Sequence, residues 1–157
     1  MNENTDRSTR APFLVRISSP LTSFFLRHGA PMGPNTVMTV RGRKSGRMLE
    51  VPVGVLRLDG HMWVMGAYGD VNWVRNLRAA GQANIRLNGQ TQPVSAIELD
   101  QAQATSFFRD HLYPYIDHLP RAGRWFAHGL MGLIAPELLK DPSEAARLRP
   151  VFELRPA

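Results

Sequence analysis

Residues 36–65 read Thr-Val-Met-Thr-Val-Arg-Gly-Arg-Lys-Ser-Gly-Arg-Met-Leu-Glu-Val-Pro-Val-Gly-Val-Leu-Arg-Leu-Asp-Gly-His-Met-Trp-Val-Met. Three runs rich in β-branched and apolar residues, 36–41, 47–57 and 61–65, are separated by two turns. Asp59-Gly60 suits a type I′ hairpin, which needs positive φ at both central positions. The glycine-bounded turn 42–46 joins the first two runs, so three antiparallel strands are expected in succession. Pro52 cannot donate to a central ladder, which places its part of the second strand at an edge or bulge.

Outward from this core, Gly66–Asp70 reads as a loop. Val71–Ala80 follows as a short helix with Val71, Val74 and Leu77 on one side and Gly81 as C-cap. Asn88-Gly89 is a second hairpin signal, between runs at 83–87 and 90–99. Asp100 with Gln103 forms a capping pair for a helix running to about Leu112. Helical spacing returns over Arg121–Ile134, a last short helix is opened by Ser143, and 150–155 looks like a closing strand. Upstream, apolar residues recur at helical spacing through Ala11–His28, with Pro20 splitting the segment.

All hairpins are local and no β-α-β alternation occurs, so the fold class is α+β, an antiparallel β-barrel with flanking helices. The expected organisation is a disordered tail at 1–11 followed by one domain over 12–157. That domain comprises a helical segment at 12–30, a barrel core at 35–99, a helical cap at 100–149 and the closing strand at 150–155.

The 157 residues fit one core, and 43% apolar residues without low-complexity tracts argue against disorder throughout. There is no cysteine. Disulfides, thiolate-bound zinc and iron–sulfur clusters are excluded, so redox chemistry needs an organic cofactor. The polar start and the interruptions at Arg16, Pro20, Arg27 and His28 match neither a signal peptide nor a membrane span, and a cytoplasmic location is expected. The formal charge of +6 is carried almost wholly by arginine, since Lys44 and Lys140 are the two lysines. Guanidinium groups favour phosphate and carboxylate partners.

The turn Gly42-Arg-Lys-Ser-Gly46 concentrates this chemistry. Glycines allow backbone N–H groups to converge on an anion, and Arg43, Lys44 and Ser45 add side-chain donors. The same residues also suit an ordinary basic hairpin turn. A P-loop is excluded because the glycine spacing is wrong and a strand follows. No G-x-G-x-x-G, H-E-x-x-H or G-x-S-x-G is present, and the carboxylates are scattered singly.

Val40-Arg-Gly-Arg-Lys-Ser-Gly46, the later Val53-Gly-Val55, and Asn72-Trp-Val-Arg-Asn-Leu-Arg-Ala79, in that order, resemble the deazaflavin-dependent nitroreductase family. The resemblance implies a split β-barrel related to flavin-nucleotide-binding proteins and a bound coenzyme F420. It places Arg43, Lys44, Ser45, Gly46 and Arg47 at the cofactor's phosphate side. Pro52, Val53, Gly54 and Val55, with Gly66, Ala67 and Tyr68, would lie along the deazaflavin ring. Trp73 and Asn76, on one helical face at i and i+3, can approach the preceding loop and are counted among the cofactor-binding residues. Leu49 stands where the family carries a basic residue, a role then left to Arg47, and Ala67 stands where a serine is common.

The implied activity is hydride delivery from reduced F420 to an electron-poor quinone, enone or nitro compound, with the protein orienting the acceptor and stabilising the developing anion. Tyr68, Tyr113 and Tyr115 are the candidate catalytic phenols, and backbone N–H groups of Gly66, Ala67 and Tyr68 are candidate donors. FMN or haem in place of F420, a non-catalytic binding barrel, and a nucleic-acid-binding module are the competing readings. The few exposed-face aromatics count against nucleic acid. Peripheral membrane contact through 11–28 and a homodimer are compatible with the sequence and required by none of it.

Overall fold

The computed structural model describes residues 35–134, 136 and 140–157. The helical segment expected at 12–30, and with it the membrane contact through 11–28, lies outside the described residues.

Six strands close into an antiparallel barrel in the order β1-β2-β3-β6-β5-β4. They are β1 (Asn35–Arg41), β2 (Met48–Leu58), β3 (His61–Met65), β4 (Gln82–Leu87), β5 (Gln90–Glu98) and β6 (Val151–Pro156). The local hairpins form as their turn residues dictate: Asp59 and Gly60 have φ of 52° and 80°, Asn88 and Gly89 of 51° and 79°. Closure depends on three pairings no local signal specifies, Met38 with Ile85, Met62 with Leu154 and Ala96 with Leu154.

The barrel interior holds Met38, Val40, Val53, Val55, Val64, Ile85, Val94, Phe152 and Leu154, and helix α1 (Asn72–Ala80) adds Val74 and Leu77 to the same cluster. Gly81 ends α1 at φ 64°, and its N–H returns to the Leu77 carbonyl. The second core lies outside the barrel. There Leu56, Trp63 and Met65 pack under the helical cap against Phe107, Phe108, Leu112, Ile116, Ala127 and Met131. β3 is therefore buried on both faces, Val64 inward and its neighbours outward, which is why 61–65 reads as a nearly continuous apolar run.

The cap comprises α2 (Gln101–Ser106), a π-helical turn (Phe107–Leu112), α3 (Tyr113–Asp117), α4 (Arg121–Ile134) and α5 (Pro142–Leu148). Asp100 and Gln103 make both bonds of a capping box. Two expectations are corrected. The helix continues past Leu112 to Asp117, because Pro114 falls in the first turn of α3, where its missing N–H costs little, and the π turn absorbs the junction. The cap of the last helix is Asp141, whose carboxylate accepts the Ser143 N–H at 2.8 Å, and Ser143 itself lies inside the helix.

Candidate functional site

The register of β2 builds the site. β1 pairs with β2 from Met48 to Gly54, whereas β3 pairs with it only from Val55 to Leu58. Gly54 thus stands beside Met65, where the chain turns away at Gly66, and the edge of β2 from Val53 back to Met48 has no β3 partner. Pro52 sits in this open stretch, as its missing N–H requires. The edge leads from the basic turn to the loop 66–70, roughly 20 Å at ~3.3 Å per residue. Met48 and Leu49 are exposed along it.

At one end, Gly42 and Gly46 shape the basic turn. The Gly42 N–H donates to the Arg47 carbonyl and the Gly46 N–H to the Gly42 carbonyl, both at 2.8 Å. A Cβ on Gly42 would lie 2.7 Å from Ser45 Oγ, and Gly46 has φ 68°. The Arg47 N–H donates to Ser45 Oγ at 3.3 Å. The Lys44 and Ser45 N–H groups are left without an acceptor among the described residues. Lys44 and Arg47 are exposed and make no ion pair among the described residues.

Arg43 behaves differently. Its backbone N–H and its Nη1 both donate to Asn76 Oδ1, at 3.2 and 2.7 Å, and weaker bonds reach Asn72. Asn76 is 5% exposed, the buried polar side chain among the described residues. Two donors converging on one atom identify it as the oxygen. Buried amide groups need partners, and this one ties the basic turn to α1.

Arg75 and Arg78, on the exposed side of α1, are engaged with carboxylates. Asp70 accepts from Arg75 Nε at 2.9 Å and Arg78 Nη1 at 2.8 Å, and Arg78 Nη2 donates to Glu98 at 2.7 Å. These bonds, that from Arg78 foremost, hold the Asp70 carboxyl below its usual range.

At the other end, the loop 66–70 is a tight turn. The Gly66 N–H donates to the Pro150 carbonyl at 2.8 Å, Ala67 N–H to Met65 at 3.0 Å and Gly69 N–H to Gly66 at 2.8 Å. A Cβ on Gly66 would lie 2.8 Å from the Gly69 carbonyl oxygen and 2.9 Å from Val74 Cγ2, so glycine is required there. Of the three N–H groups offered as donors, those of Gly66 and Ala67 are spent on the Pro150 and Met65 carbonyls, and that of Tyr68 is left without an acceptor among the described residues. The Tyr68 side chain is exposed.

Of the other expected residues, Val53 and Val55 point into the barrel, so anything outside meets Pro52, Gly54 and their backbone. Trp73 is half-buried against the barrel-interior cluster. Tyr113 and Tyr115 pack against the cap cluster. The Tyr113 hydroxyl is buried with no partner among the described residues. Burial first, and then the Asp141 charge, raises its pKa. Sequence reasoning missed Arg149, whose Nη1 donates to the Ala67 carbonyl at 2.7 Å; a lone arginine between a helix and a strand carries no motif. It also missed Asn76 as the anchor of Arg43.

The donor set at 42–47, two unsatisfied N–H groups with unpaired Lys44 and Arg47, fits the phosphate side of a polyanionic cofactor. Solved structures with loose likeness include an F420-H2 dependent reductase (19% identity, 78% of this chain and 94% of that one, TM-score 0.44). A protein described as a domain-swapped dimer matches at 17% identity over 92% of this chain and 99% of that one, TM-score 0.45. A protein of unknown function from Agrobacterium tumefaciens matches at 12% identity over 90% and 56%, TM-score 0.46. No curated protein matches. The model of the F420H(2)-dependent quinone reductase family matches residues 26–118, more than half of the chain. The protein therefore belongs to the F420H(2)-dependent quinone reductase family and is an F420-dependent oxidoreductase.

Proposed function

We propose that the open edge of β2 is the cofactor track, with F420 held by its anionic tail at residues 43–47 and its ring against Pro52–Val55 and Gly66–Tyr68. The observation that carries this reading is that the unpaired basic turn and the 66–68 loop are the two ends of one unpaired strand edge. In this arrangement Lys44 and Arg47 neutralise the tail, and the Lys44 and Ser45 N–H groups bond its oxygens. Arg43 keeps the turn seated on α1 through Asn76.

When bound and reduced, F420 supplies a hydride. The chain's part is to orient the acceptor and to stabilise the anion that develops on it. A quinone is the acceptor class the family description favours, with enones and nitro compounds as the other electron-poor candidates. Tyr68, exposed on the loop, is the phenol we place at the acceptor. Tyr113 and Tyr115 lie against the cap core, and Tyr113 would have to expose its hydroxyl to donate from it.

Fluorescence titration of the purified chain with F420 and, separately, FMN tests the cofactor. Turnover of F420H2 with a small naphthoquinone, a cyclic enone and a nitroimidazole then tests the acceptor. Failure to bind F420 at micromolar concentration would sink the reading; turnover of the enone or nitro compound without the quinone would move the acceptor class.

A further inference from the structure

Residues 149 and 150 grip the turn at 66–68 from the far end of the chain. The Pro150 carbonyl accepts the Gly66 N–H at 2.8 Å, and the Arg149 guanidinium donates to the Ala67 carbonyl at 2.7 Å. Arg149 is half-buried and terminates α5, its own N–H returning to the Ala145 carbonyl at 2.8 Å. No peptide among the described residues is cis. In a trans peptide the C=O and the following N–H point in opposite directions. Holding the Ala67 carbonyl toward Arg149 therefore turns the Tyr68 N–H away from it. A cation on the carbonyl also polarises the amide and makes that N–H a stronger donor.

We propose that Arg149 is a positioning residue of the site: it fixes and polarises the Ala67–Tyr68 peptide so that the Tyr68 N–H donates to an oxygen carrying partial negative charge. That oxygen is either a ring carbonyl of the bound cofactor or the carbonyl of the acceptor as it is reduced. The inference rests on the reading of 66–68 as the ring-facing loop. It makes the end of the cap a determinant of a site whose other residues lie between 43 and 76. The neighbouring N–H groups cannot substitute, since that of Gly66 is bonded to the Pro150 carbonyl and that of Ala67 to the Met65 carbonyl.

The test uses the full chain, 15N-labelled, with hydrogen exchange at the Tyr68 amide followed alone, with F420, and with F420 plus a naphthoquinone. In the wild type, exchange at Tyr68 slows about tenfold or more when the oxygen arrives. Arg149→Met loses that protection and Arg149→Lys restores part of it. If the oxygen belongs to the cofactor, Arg149→Met raises the F420 dissociation constant about tenfold. If it belongs to the acceptor, F420 affinity is unchanged and kcat falls with little change in the KM for quinone.

Equal exchange at Tyr68 with and without both ligands in the wild type overturns the proposal. So does full protection in Arg149→Met. Should that variant fail to fold, Arg149→Gln, which keeps a donor and loses the charge, makes the same comparison. A wild type that does not bind F420 in the fluorescence titration refutes the cofactor-track reading itself, and is seen independently of any signal from Tyr68.

Discussion

Replacing Asn76 by alanine separates two ways in which this side chain could matter. The sequence put it among the cofactor contacts, whereas the structure commits its oxygen to the backbone N–H and guanidinium of Arg43. A hydrogen bond to a charged group contributes about 1.5–3 kcal/mol, and leaving a buried donor unmade costs about 1–3 kcal/mol. Arg43 is exposed enough for water to recover part of this, so Asn76→Ala is expected to lower unfolding stability by about 1–3 kcal/mol in urea titration. The basic turn, released from α1, should bind F420 about tenfold more weakly, the equivalent of about 1.4 kcal/mol. The decisive measurement is a double-mutant cycle with Arg43→Ala, read by F420 fluorescence. If Asn76 acts through Arg43, the second substitution adds little to the first, with a coupling of about 0.5–3 kcal/mol. Additive losses would refute the anchoring argument and return Asn76 to direct cofactor contact.

Lys44→Ala is expected to weaken F420 binding by about 1–3 kcal/mol, and Arg47→Ala by a comparable amount, each with a shallower salt dependence; unchanged affinity in both would reduce 42–46 to an ordinary hairpin turn. Gly66→Ala should destabilise the fold by about 1–3 kcal/mol in urea unfolding, because its Cβ meets the Gly69 carbonyl oxygen at 2.8 Å, and no loss would show that the turn can move. Asp70 and Glu153 are held below their ordinary pKa values, Asp70 chiefly by Arg78 and Glu153 chiefly by Arg155 and then His61. A carboxylate with a depressed folded pKa adds stability that is present above its unfolded value of about 4 and is lost as pH falls through the folded one. The melting temperature should therefore decline below about pH 4, and Glu153→Gln should make that decline shallower; an identical pH profile in the variant would discount the Glu153 cluster, whose partners are largely exposed.

Much of the molecule was legible in local chemistry. Asp59-Gly60 and Asn88-Gly89 accept positive φ, Gly81 ends α1, and Asp100 with Gln103 caps α2, because each signal is settled by residues a few positions apart. Pro52 announced an edge for the same reason. The basic turn was legible as a candidate site, since Gly42, Arg43, Lys44, Ser45 and Gly46 are contiguous and their donors need no distant partner to converge. The Pro114 boundary misled because a proline in the first turn of a helix is tolerated when the preceding segment supplies the junction, and the π turn at 107–112 does so.

What tertiary structure decided was which of these groups remain available. Seventeen arginines look alike in sequence, yet Arg75 and Arg78 are taken by Asp70 and Glu98, Arg43 by Asn76, and Arg149 bonds the Ala67 carbonyl, whereas Lys44 and Arg47, like Arg41, Arg57 and Arg86, make no ion pair among the described residues. Barrel closure likewise joins Met62 to Leu154 across most of the chain. It brings Arg149 and Pro150 against a turn more than eighty residues earlier. The strands, their turns and the basic loop can be read from the chain alone, because they follow from backbone preferences and residue chemistry over short spans. Which cations keep an open face, and which backbone N–H remains unspent beside them, depends on long-range pairing, and that information exists only once the barrel has closed.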